Sequence, residues 1–218
     1  MSRIYWEVTL QSPYWILWNL LLSAIPVGLV YLWTYCIRRY SLKRNGIHWV
    51  AFSPLILMWI AFLPNTCYLL TEWRHFLFDD YFVGVREAVE GSHVGMLRVA
   101  RQGLFFVCYS GLGVLALVFA IRPAELFLSK LKIHKAVWMA PLFLLTSLGV
   151  YLGLVVRLNS WDLLARPAQV AHVTGYALMS SLHLKTIVIF AFLLWIGYEL
   201  GNVWADGLML RIKQKRIV

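Results

Sequence analysis

Five blocks of apolar residues, about 14–36, 49–70, 103–121, 136–156 and 186–204, alternate along the chain with segments that carry nearly all of its charge. Each block is close to the roughly 20 residues a helix needs to cross a bilayer. The pattern predicts an all-α, polytopic membrane protein of about five transmembrane helices, forming a single integral membrane domain over residues 1–218. The first block is too long for the apolar core of a signal peptide and lacks a small-residue cleavage site before Arg38 and Arg39, so it is read as a retained helix. Pro54 and Pro64 predict a kink or break in the second block, because proline cannot donate to the helix ladder. Gly149 with Gly153, and Gly197 with Gly201, are small-x-x-x-small steps that let helix backbones approach closely.

Composition agrees with the pattern. The chain is 61% hydrophobic and only 14% charged, against roughly 45–50% and about 25% in soluble domains. Eleven Trp and eleven Tyr suit the membrane–water boundary, where both residues concentrate. The net charge of +10 is better explained by topology and anionic lipid than by nucleic acid, since the basic residues lie beside the apolar blocks. Cys36, Cys67 and Cys108 are scattered and imply neither a metal site nor a disulfide framework.

Orientation follows from the basic residues. Arg38, Arg39, Lys43 and Arg44 fall in the 37–48 connection. Arg122, Lys130, Lys132 and Lys135 fall in 122–135, and Arg211, Lys213, Lys215 and Arg216 in the tail. The connections on the other side are much longer and hold fewer for their length. The positive-inside rule therefore predicts an outer N-terminus and a cytoplasmic C-terminus. Most acidic residues then gather outside, in the 71–102 and 157–185 segments, each long enough for a short surface helix. In the second, a helix opening at Pro167 would bring His172 and His183 close to one face, with Met179 beside His183.

The run Phe62-Leu63-Pro64-Asn65-Thr66-Cys67-Tyr68-Leu69-Leu70-Thr71-Glu72, with His75 after it, turns from apolar to polar within a few residues. If a helix resumes after Asn65, which can cap it, then Tyr68, Glu72, His75 and Asp79 share one face. A second run, Gly149-Val150-Tyr151-Leu152-Gly153, leads to Arg157-Leu158-Asn159-Ser160-Trp161-Asp162. With Trp18-Asn19 and Ile25-Pro26, these stretches resemble the bacterial integral-membrane proteins of the domain-of-unknown-function 1361 family. The likeness runs from about Trp18 to the last block. It implies a bacterial cytoplasmic membrane protein and no assigned activity. Many members carry aspartate where this chain has Glu72, a difference of one methylene.

The predicted topology places both runs at the outer ends of the second and fourth spans. Glu72, His75 and Asp162 are the candidate catalytic groups, and Asn65, Tyr68, Arg157, Asn159 and Trp161 the candidate substrate-binding groups. Glu72, His75 and Asp79 have the carboxylate–imidazole spacing that can hold a divalent transition metal on a helix. Against this stands the plainer reading of ion pairs and caps, Glu72 with Arg74 or Arg157 and Asp162 with Arg166. No nucleophile elbow surrounds Ser160, and no histidine pair inside the bundle supports haem. The function classes left are an outward-facing site for a lipid headgroup or envelope precursor, a non-catalytic subunit of a larger membrane complex, and a small transporter. Expected partners are the lipid bilayer and other membrane subunits or a second copy, with no nucleic acid. A transporter is disfavoured by span interiors poor in ionisable groups and by the lack of an inverted repeat.

Overall fold

The computed structural model describes residues 13–40, 47–78 and 92–215. The described chain is helical with no strand. We number the helices α1 (Pro13–Tyr40), α2 (Ile47–Phe62), α3 (Pro64–Thr71), α4 (Trp73–Phe78) and α5 (His93–Leu128). After a short 3-10 turn at Ser129–Leu131 follow α6 (Lys135–Val155), α7 (Asp162–Ala165), α8 (Pro167–Met179) and α9 (Ser181–Lys215). Five stretches are long and apolar enough to cross a membrane: Ile16–Arg39, Phe52–Thr71, His93–Leu128, Lys135–Val155 and Ser181–Gln214. These match the five predicted blocks. α8, at 13 residues, reaches only about 20 Å and is too short to cross.

The predicted boundaries of the third and fifth blocks were too narrow. At 36 residues α5 runs about 54 Å, well past a bilayer core of roughly 30 Å. Its charged flanks, with Arg98, Arg101, Arg122 and Glu125, are helical turns rather than loop. Arg122 and Glu125 therefore belong to α5, and the true connection to α6 is only residues 129–134.

The second span breaks where proline requires it. α2 ends at Phe62, the Leu63 N–H donates to the Trp59 carbonyl at 2.9 Å, and Pro64 takes the first position of α3. The expected Asn65 cap does not form: Leu63 stands at the cap position and no side chain caps the start of α3. Asn65 lies inside the helix, where its side chain is free to bond across to another element.

α3 is the hub of the bundle, packed against α1, α5 and α6. Leu63, Pro64, Asn65, Thr66, Cys67 and Leu69 are all buried. Trp59, on α2, donates its indole N–H to the Ala120 carbonyl of α5 at 2.8 Å. It also meets Trp33 of α1, which in turn meets Phe127 edge-on. On the other flank α9 packs against α6 and α5, fastened by the Ser147 hydroxyl donating to the Ile187 carbonyl at 2.7 Å.

Two ends of the bundle can thus be distinguished. The basic end gathers Tyr40, Ile47, the 129–134 connection and Lys215. The motif end gathers Thr71, His93, Val155, α7, α8 and Ser181.

Candidate functional site

At the motif end the two sequence runs dock directly on each other. Gly149 and Gly153, one turn apart on α6, form a shallow trough that receives α3. A Cβ on Gly149 would stand 3.1 Å from Pro64 Cβ and closer still to Cγ. One on Gly153 would stand 2.6 Å from Tyr68 Cζ, with the phenol oxygen nearer again. Against the proline ring only glycine permits this approach, while at Gly153 the neighbour is the far end of a tyrosine side chain. The predicted small-residue step is real, and its partner is the Pro-Asn run. The corresponding pair on α9 is half used, since Gly201 faces Val118 while Gly197 faces open space. On the opposite flank Gly113 of α5 receives Leu69 and the Thr66 carbonyl.

Above the trough, the Asn65 side-chain amide donates to Ser160 Oγ at 3.3 Å, so the Asn of the first run is tied to the Asn-Ser-Trp-Asp turn of the second. That turn is ordered by Asp162. Its buried carboxylate accepts the Asn159 N–H at 2.7 Å through one oxygen, and Nε and Nη2 of Arg166 at 3.1 and 2.8 Å through the other. The Asn159 backbone N–H, then the Arg166 guanidinium, hold the Asp162 carboxyl below the usual carboxylate range. The predicted pairing of Asp162 with Arg166 is observed, and both carboxylate oxygens are occupied.

Arg157 turns the chain out of α6. Its φ is +60°, the left-handed region that costs a non-glycine residue roughly 1 kcal/mol or more. The following Leu158 N–H donates back to the Leu152 carbonyl at 3.1 Å. The Arg157 side chain is exposed and forms no ion pair with any described carboxylate. Asn159 and Trp161 are also exposed, so the surface of the turn is cationic, amide-bearing and aromatic.

Glu72, at the α3–α4 junction, is buried. It lies within electrostatic reach of Tyr109 on α5, which also faces Asn19 on α1. Asn19 and Tyr109 were not among the site residues expected from the sequence. No local signal in the sequence pairs them with Glu72, since the three residues come from different elements. The side chain of His75 and the whole of Asp79 lie outside the described residues, as does the side chain of Arg74. Among the described residues no group of three or more His, Cys, Asp or Glu could hold a metal ion. The histidine face expected in 167–183 is interrupted at Ser180, which is extended (ψ 116°) and separates α8 from α9. His172 is exposed, whereas His183 packs its ring against Tyr151 and Tyr176.

The basic end holds a polar network that the sequence reading did not assemble. Lys135 Nζ bridges Glu125 of α5 at 2.7 Å and Glu199 of α9 at 2.8 Å. The buried Tyr198 donates its hydroxyl to Glu125, and Trp195 Nε1 donates to Glu199 at 2.9 Å. Arg122 donates to the Asn202 side chain at 2.7 Å and pairs with Asp206. The signal was present: Trp195, Glu199, Asn202 and Asp206 recur at steps of four, three and four, one polar stripe on an apolar helix.

These features define a multi-pass helical membrane protein whose two signature runs interlock at one end of the bundle. The family model described as "Protein of unknown function (DUF1361)" matches residues 18–196. The chain belongs to that family. No curated protein and no solved structure matches it.

Proposed function

We propose that the motif end faces outward from a bacterial inner membrane and forms a site that binds or acts on the headgroup of an anionic lipid or envelope precursor. The observation carrying this reading is the interlock itself. Two glycines, a proline, an Asn65–Ser160 hydrogen bond and an Asp162–Arg166 pair hold a short turn rigidly at the end of a span. On that turn an exposed arginine stands in a strained left-handed conformation. A guanidinium offers a planar fork of donors suited to phosphate or carboxylate, and Asn159 and Trp161 supply an amide and an aromatic face beside it. Outward orientation is supported by the concentration of Lys and Arg at the opposite end. Glu72, buried beside Tyr109, is the candidate acid–base group, and with His75 and Asp79 the candidate metal set.

Lipid extracted from the detergent-purified protein and analysed by mass spectrometry tests the binding role. Anionic lipid should co-purify in excess over its share of the membrane, and Arg157→Ala and Asn65→Ala should lose that excess while still eluting as folded protein. Equal lipid content in all three would sink the proposal. Elemental analysis of the same samples, with Glu72→Gln and His75→Ala beside them, decides the metal. Near-stoichiometric metal lost in both variants turns the site toward hydrolysis or group transfer, and metal-free folded protein removes that chemistry.

A further inference from the structure

The segment between the fourth and fifth spans carries an exposed apolar surface that water would not favour. Leu164 and Met179 are each 89% exposed, and Trp161, Leu163 and Leu178 are close to half exposed. No Asp, Glu, Lys or Arg occurs from Pro167 to Met179. Single exposed apolar residues are ordinary, but an uncharged helix with this much apolar exposure marks a surface that something apolar covers.

The helix sorts its residues by edge. Val170 and Ala177, seven residues apart, are buried and face the bundle. Ala171 and Leu178, also seven apart, lie about 100° round the helix on one exposed edge. Gln169, His172 and Tyr176, at steps of three and four, lie on the other. One exposed edge is thus apolar and the other polar, with a tyrosine whose hydroxyl can reach water, and Ala168 and Met179 lie between them on the side away from the bundle. Trp161 and Tyr176 are residue types of the interfacial belt, and Arg157, Arg166 and Lys185 flank the element as cations would in a phosphate layer. Across the break at Ser180 the chain enters α9, whose Leu182, Val188, Ile189 and Phe192 are exposed on the membrane-spanning surface.

We infer that α7 and α8 lie half-immersed in the leaflet at the motif end, Leu164, Ala171 and Leu178 among the acyl chains and Gln169 and His172 in the headgroup layer. The occupant of this surface is the bilayer, because the element is joined at Ser180 to a span with exposed apolar side chains and is flanked by cations and interfacial aromatics. The element is then an interfacial helix, and it seats the Asn159–Asp162 turn at headgroup depth. This inference stands whether or not that turn binds a headgroup.

Site-directed nitroxide labelling of the full chain tests it. Cys36 and Cys108 are replaced by serine, and Cys67, fully buried, is left in place, with the unsubstituted background setting the label baseline. Single cysteines at Leu164, Ala171, Leu178, Gln169 and His172 are labelled in vesicles of phosphatidylethanolamine and phosphatidylglycerol. Phe192→Cys serves as the lipid-facing reference. The ratio of collisions with oxygen to collisions with a water-soluble nickel chelate is read at each site. The expected result is a ratio several-fold higher at 164, 171 and 178 than at 169 and 172, approaching the value at 192. Water-like ratios at all five sites would overturn the inference. So would shielding of 171 and 178 from both reagents, which would mean that protein, a second copy or a subunit, covers this edge.

Discussion

The contact most exposed to a single methyl group is that between Gly149 and Pro64. Gly149→Ala places a Cβ 3.1 Å from Pro64 Cβ and closer to Cγ, where carbon atoms prefer about 3.5–4.0 Å. The pyrrolidine ring has no rotamer by which to retreat. Its neighbours Leu63 and Asn65 are buried, so α6 must move off α3 by roughly 1 Å. Overpacking of this kind costs about 1–3 kcal/mol, and the better helix propensity of alanine returns up to about 1 kcal/mol. The net expectation is a loss of up to about 2 kcal/mol, or a fall in Tm of up to about 8 °C for a chain of this size. Because Ser160 follows α6, the same movement lengthens its bond to Asn65.

Gly113→Ala should behave alike, since its Cβ would meet Leu69 Cβ at 2.9 Å and the Thr66 carbonyl at 3.1 Å. Gly153→Ala should cost less, because it meets the far end of a tyrosine side chain that can rotate away. Gly28 and Gly111 face open space, and alanine there should be neutral or stabilising. Thermal unfolding of the five variants in one detergent gives the comparison. If Gly149→Ala and Gly111→Ala melt together, the trough is not a close packing of α3 on α6 and the interlock fails as an explanation of the motif.

Lys135→Ala should lower stability by on the order of 1–2 kcal/mol, between the values for exposed and buried ion pairs, because it leaves Glu125 and Glu199 facing each other. Adding Glu199→Gln should recover part of the loss, and an additive double-mutant cycle would show that the bridge contributes nothing. Arg157→Gly relieves the left-handed backbone at φ +60° and should leave thermal stability unchanged or raise it by up to about 1 kcal/mol, while reducing retained anionic lipid; a lower Tm would show that the arginine is there for packing. Asp162 has a folded pKa below its unfolded value, so its stabilisation is present above the unfolded pKa and fades as pH falls through the folded one. The stability gap between wild type and Asp162→Asn should therefore hold at neutral pH and close only below about pH 4; a gap independent of pH would remove the charge of the carboxylate, held by the Asn159 N–H and by Arg166, as its cause.

The membrane architecture was legible because it depends on mean hydropathy over twenty residues, which survives errors in any one position. What proved harder follows from how one residue type can serve two neighbours. Asn65 sits after a proline, where a cap is the local expectation, yet Leu63 already has helical angles and begins the turn in its place. The amide was then available to Ser160, 95 positions away, and no local rule reaches that far. Charge usually ends an apolar block, and by that rule Arg122 and Glu125 fall in a connection. Here α5 continues through them, since the residues that meet their charge come from α6 and α9. Partly enclosed charge in a membrane bundle is read correctly only when its partners are counted, and those partners lie on other helices. The glycines show the converse. Gly149 and Gly153 look like any other spaced pair in the sequence, and Gly197 with Gly201 looks the same. What separates them is that a proline and a tyrosine from the other signature run lie against the first pair. The two runs that carry the family likeness are therefore one structural unit, and a change in either should be felt in the other.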